Sequence, residues 1–202
     1  MTDATPRLIL ASGSATRAAL LQSARVAFGI VSPGVDEDAI KFRAEREGSA
    51  PAQTAMRLAE AKCLAVSAAQ PDALVIGADQ VLDLGGAILS KAPDLAAAAA
   101  QLRALAGKSH QLMSAVCAAR GGAVLWRHVG AARMTMRDLP QAEIARYLAE
   151  AGSAVLSSVG AYHYEGLGVH LFSAVDGDHA TILGLPLLPL LAFLRTQGLS
   201  FS

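Results

Sequence analysis

Residues 74–91 read LVIGADQVLDLGGAILSK, and the fold turns on how this stretch is parsed. Leu74, Val75 and Ile76 form an apolar, largely β-branched run. Gly77 and Ala78 keep the backbone accessible, and Val81, Leu82 and Leu84 resume the apolar character before Gly85-Gly86. The pattern predicts a buried strand, a glycine turn and a short second arm, with Lys91 just beyond it. Asp79 interrupts the run. The strand is expected to deliver this carboxylate at its end, where an ionised group is costly unless it meets a metal, a cation or several donors. Two meanings stand open: a turn or sheet-edge aspartate paired with a structural lysine, or a catalytic group.

A chain of 202 residues can bury a full core, and 1–202 is read as one α/β domain that a cleft divides into two lobes. Hydrophobic residues make up 53% but aromatic ones only 4%, the excess being alanine and leucine, so helices should abound. Formal net charge is zero, which excludes the basic field of stable nucleic-acid binding; any anionic ligand must be held by a local cluster. Cys63 and Cys117 lie in apolar stretches without CxxC spacing and read as reduced core residues. Residues 1–7 carry Asp3 and Pro6 and fit no secretory leader. Residues 180–194 are interrupted by Gly184, Pro186 and Pro189 and fall short of the ~20 needed to span a bilayer. A cytoplasmic protein with no membrane partner is expected. Residues 180–194 are read as a buried strand followed by a helix from Pro186.

Elsewhere, residues 8–11 read as a first strand, leading through Ser12-Gly13-Ser14 into a helix that Ser14 would cap. Such a small-residue loop offers backbone N–H groups and hydroxyls to an anion, and Arg17 could add a fixed cation; an ordinary capped helix is the plainer meaning. Residues 28–32 suggest a second strand. Asp36, Glu37 and Asp38 then fall at a helix start, where the macrodipole favours acids, a metal ligand or base being the alternative. Residues 52–69 have long helical periodicity behind Pro51 and set Lys62 on or beside the apolar stripe. Lysine occurs only at 41, 62, 91 and 108, while arginine is used freely. A helix from Asp94 through Leu105, a hairpin of 111–119 with 123–136, and a helix over 139–151 follow. The glycine-spaced loop 160–168, GAYHYEGLG, holds Glu165 and is expected to feed a strand over 169–172. It lacks the third glycine of a dinucleotide fingerprint, and zinc-hydrolase and serine-hydrolase motifs are absent.

Taken in order, LILASGSATRAALL, VDE, LAEAKCLA, VIGADQVL, ILSK, GAYHYEGLGVHLF and TILGLPL resemble the Maf family of nucleoside triphosphate pyrophosphatases over nearly the whole chain. The resemblance implies an elongated mixed sheet flanked by helices, two lobes around a nucleotide cleft, and a homodimer. It also implies hydrolysis of the α–β phosphoanhydride of a nucleoside triphosphate to the monophosphate and pyrophosphate, with a divalent metal cation, Mg²⁺ or Mn²⁺. Asp79 matches the family's catalytic acid position and Glu37 its second acidic position, the two metal candidates. Lys62 and Lys91 match its phosphate-binding lysines, and Ser12, Ser14 and Arg17 its phosphate loop. Attack at the α-phosphorus does require a positioned base or metal-bound hydroxide, and cations for the leaving group.

The chain departs from the family pattern at two places: Ala15-Thr16 replaces Pro-Arg or Pro-aromatic, which bears on base selection at Thr16, and Ser157 stands where an aspartate is common. Gln80 and Glu165 side with the branch that acts on 7-methyl-GTP against the dTTP/UTP branch. A carboxylate can accept from the N1–H and exocyclic amine of guanine. The alternatives are a nucleotide-binding regulator of septum formation and cell division with little turnover, a dTTP/UTP pyrophosphatase, and a metal-independent phosphatase releasing orthophosphate.

Overall fold

In the computed structural model, which describes residues 7–199, the apolar run Leu8–Ala11 forms β1 and is buried along its length. The reading of a leader at the N-terminus falls, for residues 1–6, outside the described residues. Ser14 caps α1 (Ala15–Ser23) by accepting from the Arg17 backbone N–H. The next strand, β2, is only Gly29–Ile30, shorter than the 28–32 expected, because Pro33-Gly34 turns the chain into α2 (Glu37–Arg46). Helix α3 (Pro51–Ala69) has Pro51 in its first turn and packs Ala55, Leu58, Ala59, Cys63 and Val66 on the sheet.

Strand β3 (Leu74–Leu84) turns at Gly85-Gly86 into β4 (Ala87–Leu89). The expectation that β3 ends at Asp79 is corrected. The strand is one continuous run of 11 residues with Asp79 near its middle. The ladder to β5 carries it through, Asp79 opposite Ala115 and Leu82 opposite Leu112. After α4 (Leu95–Leu105), capped by Asp94, come the long hairpin strands β5 (Ser109–Arg120) and β6 (Ala123–Met136), then α5 (Gln141–Ala151).

Two further expectations give way. Residues 167–171 form a 3₁₀ turn, with β7 starting only at Phe172 (Phe172–Asp176), because the N–H groups of Gly166 and Gly168 both close on the His163 carbonyl. No strand forms over 180–185: Asp178 caps the short α6 (His179–Ile182), Gly184 takes φ 92°, and α7 (Leu187–Thr196) follows Pro186. The mixed sheet runs β2-β1-β3-β5-β6-β7, with β4 also on β3. Apolar clusters lie on both faces of its β1-β3 half, and a third, around Leu82, Leu102 and Met134, fills the other lobe. Cys63 and Cys117 are free and buried, and no helix among the described residues is long and apolar enough to cross a membrane.

Candidate active site

Strand alternation decides where Asp79 points. Val75 and Val81 belong to the cluster under α3, so Asp79 shares that face, whereas Ile76 and Ala78 belong to the opposite cluster and Gln80 follows them. On its outer edge β3 pairs with β1 as far as Gly77 and with β4 only from Leu82. Between those points the edge carries no strand among the described residues, and a cavity of about 1190 Å³ opens there.

Residue 77 lets α3 come close. A Cβ at Gly77 would lie 2.3 Å from the Ala59 carbonyl oxygen and 2.6 Å from the Cys63 nitrogen. The close approach brings Lys62 over Asp79. Lys62 Nζ donates to Asp79 Oδ1 at 2.6 Å and pairs with Glu37 Oε1 at 2.7 Å; the Lys62 and Asp79 side chains are each 8% exposed. An ammonium has three protons, so one remains for a ligand. Glu37 arrives from the start of α2, where Asp36 accepts from the Ala39 N–H as N-cap. Burial pushes the Glu37 carboxyl up, but the Lys62 hydrogen bond and the charges of Lys62, Lys41 and Lys91 outweigh it and hold it below the usual range.

Arg17 is fixed in the opposite wall. Its Nε donates to the Gly184 carbonyl at 2.8 Å and its Nη1 to Ser12 Oγ at 3.2 Å, while Ser12 Oγ also accepts from the Ser14 N–H. Burial pulls the guanidinium's pKa down, opposed by Asp79 and Glu37. The loop thus presents an anchored cation beside hydroxyls and backbone N–H groups.

Every residue selected from the sequence lines this cavity: Ser12, Ser14, Thr16 and Arg17 from the first loop and α1, Glu37 from α2, Lys62 from α3, Asp79 and Gln80 from β3, and Lys91 and Glu165 from later loops. Gln80 is less available than the sequence suggested. Its Nε2 contacts Ser114 Oγ and the carbonyls of Thr181 and Ile182, leaving Oε1 without a protein partner among the described residues. The departure at Ser157 is structured too, since Ser157 Oγ donates to the Ala154 carbonyl and pairs with His163 Nε2 at 3.0 Å.

Sequence reasoning gave no role to Lys41, Tyr162 or Tyr164, which also line the cavity. Lys41 carried a legible signal, four residues after Glu37 and so on the same helix face. Tyr162 carried none: it is held from behind by His110 of β5, with Oη and Nε2 2.7 Å apart. Burial lowers the His110 pKa to about 4 and pushes the Tyr162 phenol up.

Two carboxylates on one buried ammonium, ringed by further cations in an open cleft, suit a polyanion that must be bound and cleaved. A family model described as Maf-like protein matches residues 7–197. The chain is 51% identical over 193 residues to a 7-methyl-GTP pyrophosphatase of Brucella abortus, covering 96% of this chain and 97% of that protein. A 7-methyl-GTP pyrophosphatase of Rhizobium etli is 50% identical over 194 residues, 96% of this chain and 98% of its own. A nucleoside triphosphate pyrophosphatase of Rhodopseudomonas palustris is 51% identical over 193 residues, 95% and 94% of the two chains.

Proposed function

This chain belongs to the Maf-like protein family, and on that premise we propose that it is a nucleoside triphosphate pyrophosphatase, cleaving the α–β phosphoanhydride of a modified purine nucleotide such as 7-methyl-GTP. The observation that carries the reading is the convergence of Asp79 and Glu37 on Lys62 at the floor of the cationic cavity. The phosphates lie against Arg17, the Ser12–Ser14 loop, Lys62 and Lys91. Asp79 takes the proton of a water attacking the α-phosphorus, the α–β P–O bond breaks, and pyrophosphate leaves with the bridging oxygen. The third proton of Lys62 meets the charge that develops on the phosphates.

The donor set fits a hard divalent cation such as Mg²⁺ or Mn²⁺. Glu37 and Asp79 each engage Lys62 through one oxygen and keep the other without a protein partner among the described residues. Glu37 and Asp79 would hold the cation, and when bound it supplies Lewis-acid polarisation and charge neutralisation. The homodimer and cytoplasmic setting implied by the resemblance belong to the same proposal; sedimentation of the purified protein tests the first.

The preference for a guanine-type base rests on Glu165, which lines the cavity, and is supported by the names of the Brucella and Rhizobium relatives. Gln80 contributes little, because its donor nitrogen is already committed. The deciding experiment is a panel of common and modified nucleoside triphosphates with Mg²⁺ or Mn²⁺ and with EDTA, scored for pyrophosphate against orthophosphate. The expected outcome is pyrophosphate release abolished by EDTA, with higher kcat/KM for 7-methyl-GTP than for dTTP or UTP. Glu165→Gln should lower that preference about tenfold, the scale of one hydrogen bond to a charged acceptor. Orthophosphate as product would overturn the activity; a dTTP preference untouched by Glu165→Gln would overturn the base assignment.

A further inference from the structure

The cavity contains one cation for which the reaction above has no use. Lys41 sits on α2 one turn after Glu37 and lines the same cavity. Its nearest carboxylate is Asp38, with Nζ 3.9 Å from Oδ1, and that aspartate side chain is 98% exposed. Such a contact lies at the outer limit of an ion pair and is well screened by water. Of the lysines at 41, 62, 91 and 108, three line this cavity, although arginine is the commoner cation in the chain. Lysine differs from arginine in being a compact charge on a flexible stem, suited to following a phosphate that moves. Lys62 cannot follow one, because two carboxylates hold it. Lys41 and Lys91 both line the cavity and both favour the ionised form of Glu37.

We propose that Lys41 is a further ligand of the leaving pyrophosphate, pairing with Lys91 to hold it as the α–β bond breaks. The inference rests on the pyrophosphatase reading. Cleavage leaves the product with more charge than the same phosphates carried within the triphosphate, and a weakly engaged cation at the rim can turn from Asp38 to meet it. On the base assignment above the nucleoside monophosphate half is held through Glu165, and its affinity should not depend on Lys41.

The test is calorimetric titration of inorganic pyrophosphate and, separately, of GMP into the full-length protein and its Lys41→Ala and Lys41→Arg variants. Lys41→Ala should weaken pyrophosphate binding about tenfold, as expected on losing a charge-assisted hydrogen bond. Lys41→Arg should recover most of that loss, and GMP affinity should be the same in all three. Unchanged pyrophosphate affinity in Lys41→Ala overturns the proposal. Equal weakening of both ligands overturns it too, by making Lys41 a support for the cavity. Failure of the underlying activity would show separately, as orthophosphate release by the wild-type protein.

Discussion

The two walls of the cavity are built of different material. The rear wall is β3 with α3 laid across it, where Leu58, Ala59, Val75 and Ile76 are fully buried and even Lys62 and Asp79 are nearly so. The front wall, α2, buries only Ala44 and leaves Phe42 61% exposed. The contrast separates two requirements. Proton transfer needs a fixed geometry, and only a packed interior holds a lysine and an aspartate at 2.6 Å without relying on the ligand. Phosphates and a base must enter and leave, and while Arg17 and Lys62 stay anchored in the packed interior, Glu37 and Lys41 sit on a lightly packed helix where movement costs little.

The largest expected effect comes from damaging the rear wall chemically while leaving it mechanically whole. Asp79→Asn should lower kcat by about a hundredfold or more, the scale of a lost general base. Glu37 remains on Lys62, so the buried ammonium keeps a counter-charge and the fold should survive, as should nucleotide binding. Single-turnover assays with a thermal melt alongside check both halves. Near-normal rates would place the proton acceptor elsewhere.

A mechanical insult to the same wall should cost stability. Gly77→Ala drives a methyl into the backbone of Ala59 and Cys63 and should destabilise the protein by about 3 kcal/mol. Gly13→Ala, in the phosphate loop with open space around it, should stay within about 0.5 kcal/mol. Urea unfolding of the pair measures the contrast directly, and equal losses would show that the close approach at Gly77 is not what holds α3 against β3.

The smallest effect concerns the join between the sheet and the loop, where His110 on β5 holds Tyr162. Burial lowers the His110 pKa from 6.5 to about 4. Between those values the folded protein binds fewer protons here than the unfolded chain, so stability falls as pH drops through the window and levels off below it. The ceiling on that loss is about 3 kcal/mol, and relaxation around a protonated ring will make it smaller. His110→Gln should flatten the slope between pH 6.5 and 4 in chemical denaturation. A slope that persists unchanged in the variant would assign it to other groups.

How legible each part was follows from the range of the forces involved. Strands such as 8–11 and 123–136 and the helix from Pro51 to Ala69 announce themselves through local periodicity, turn glycines and caps, and they form where those signals lie. The errors fell where a distant partner overrides local pattern. Asp79 looked like a strand terminus because it interrupts an apolar run, yet the ladder to Ala115 carries β3 past it. Residues 169–171 and 180–185 had strand-like composition, but contacts to the His163 carbonyl and the Asp178 cap closed them into turns instead.

The candidate site divides in the same way. From the sequence alone came the family resemblance and, largely through it, the residues that line one cavity; Asp79, a carboxylate within an apolar run, stood out without it. Only the tertiary structure decided that Lys62 bridges Glu37 and Asp79, that Gln80 faces the opposite side of the sheet with its nitrogen committed, and that Lys41 reaches the same cleft. The physical reason is that charge and hydrophobicity belong to single residues, whereas a hydrogen bond between α3 and β3 depends on how closely two segments 17 positions apart can approach, and that distance is set at Gly77 by the absence of a side chain.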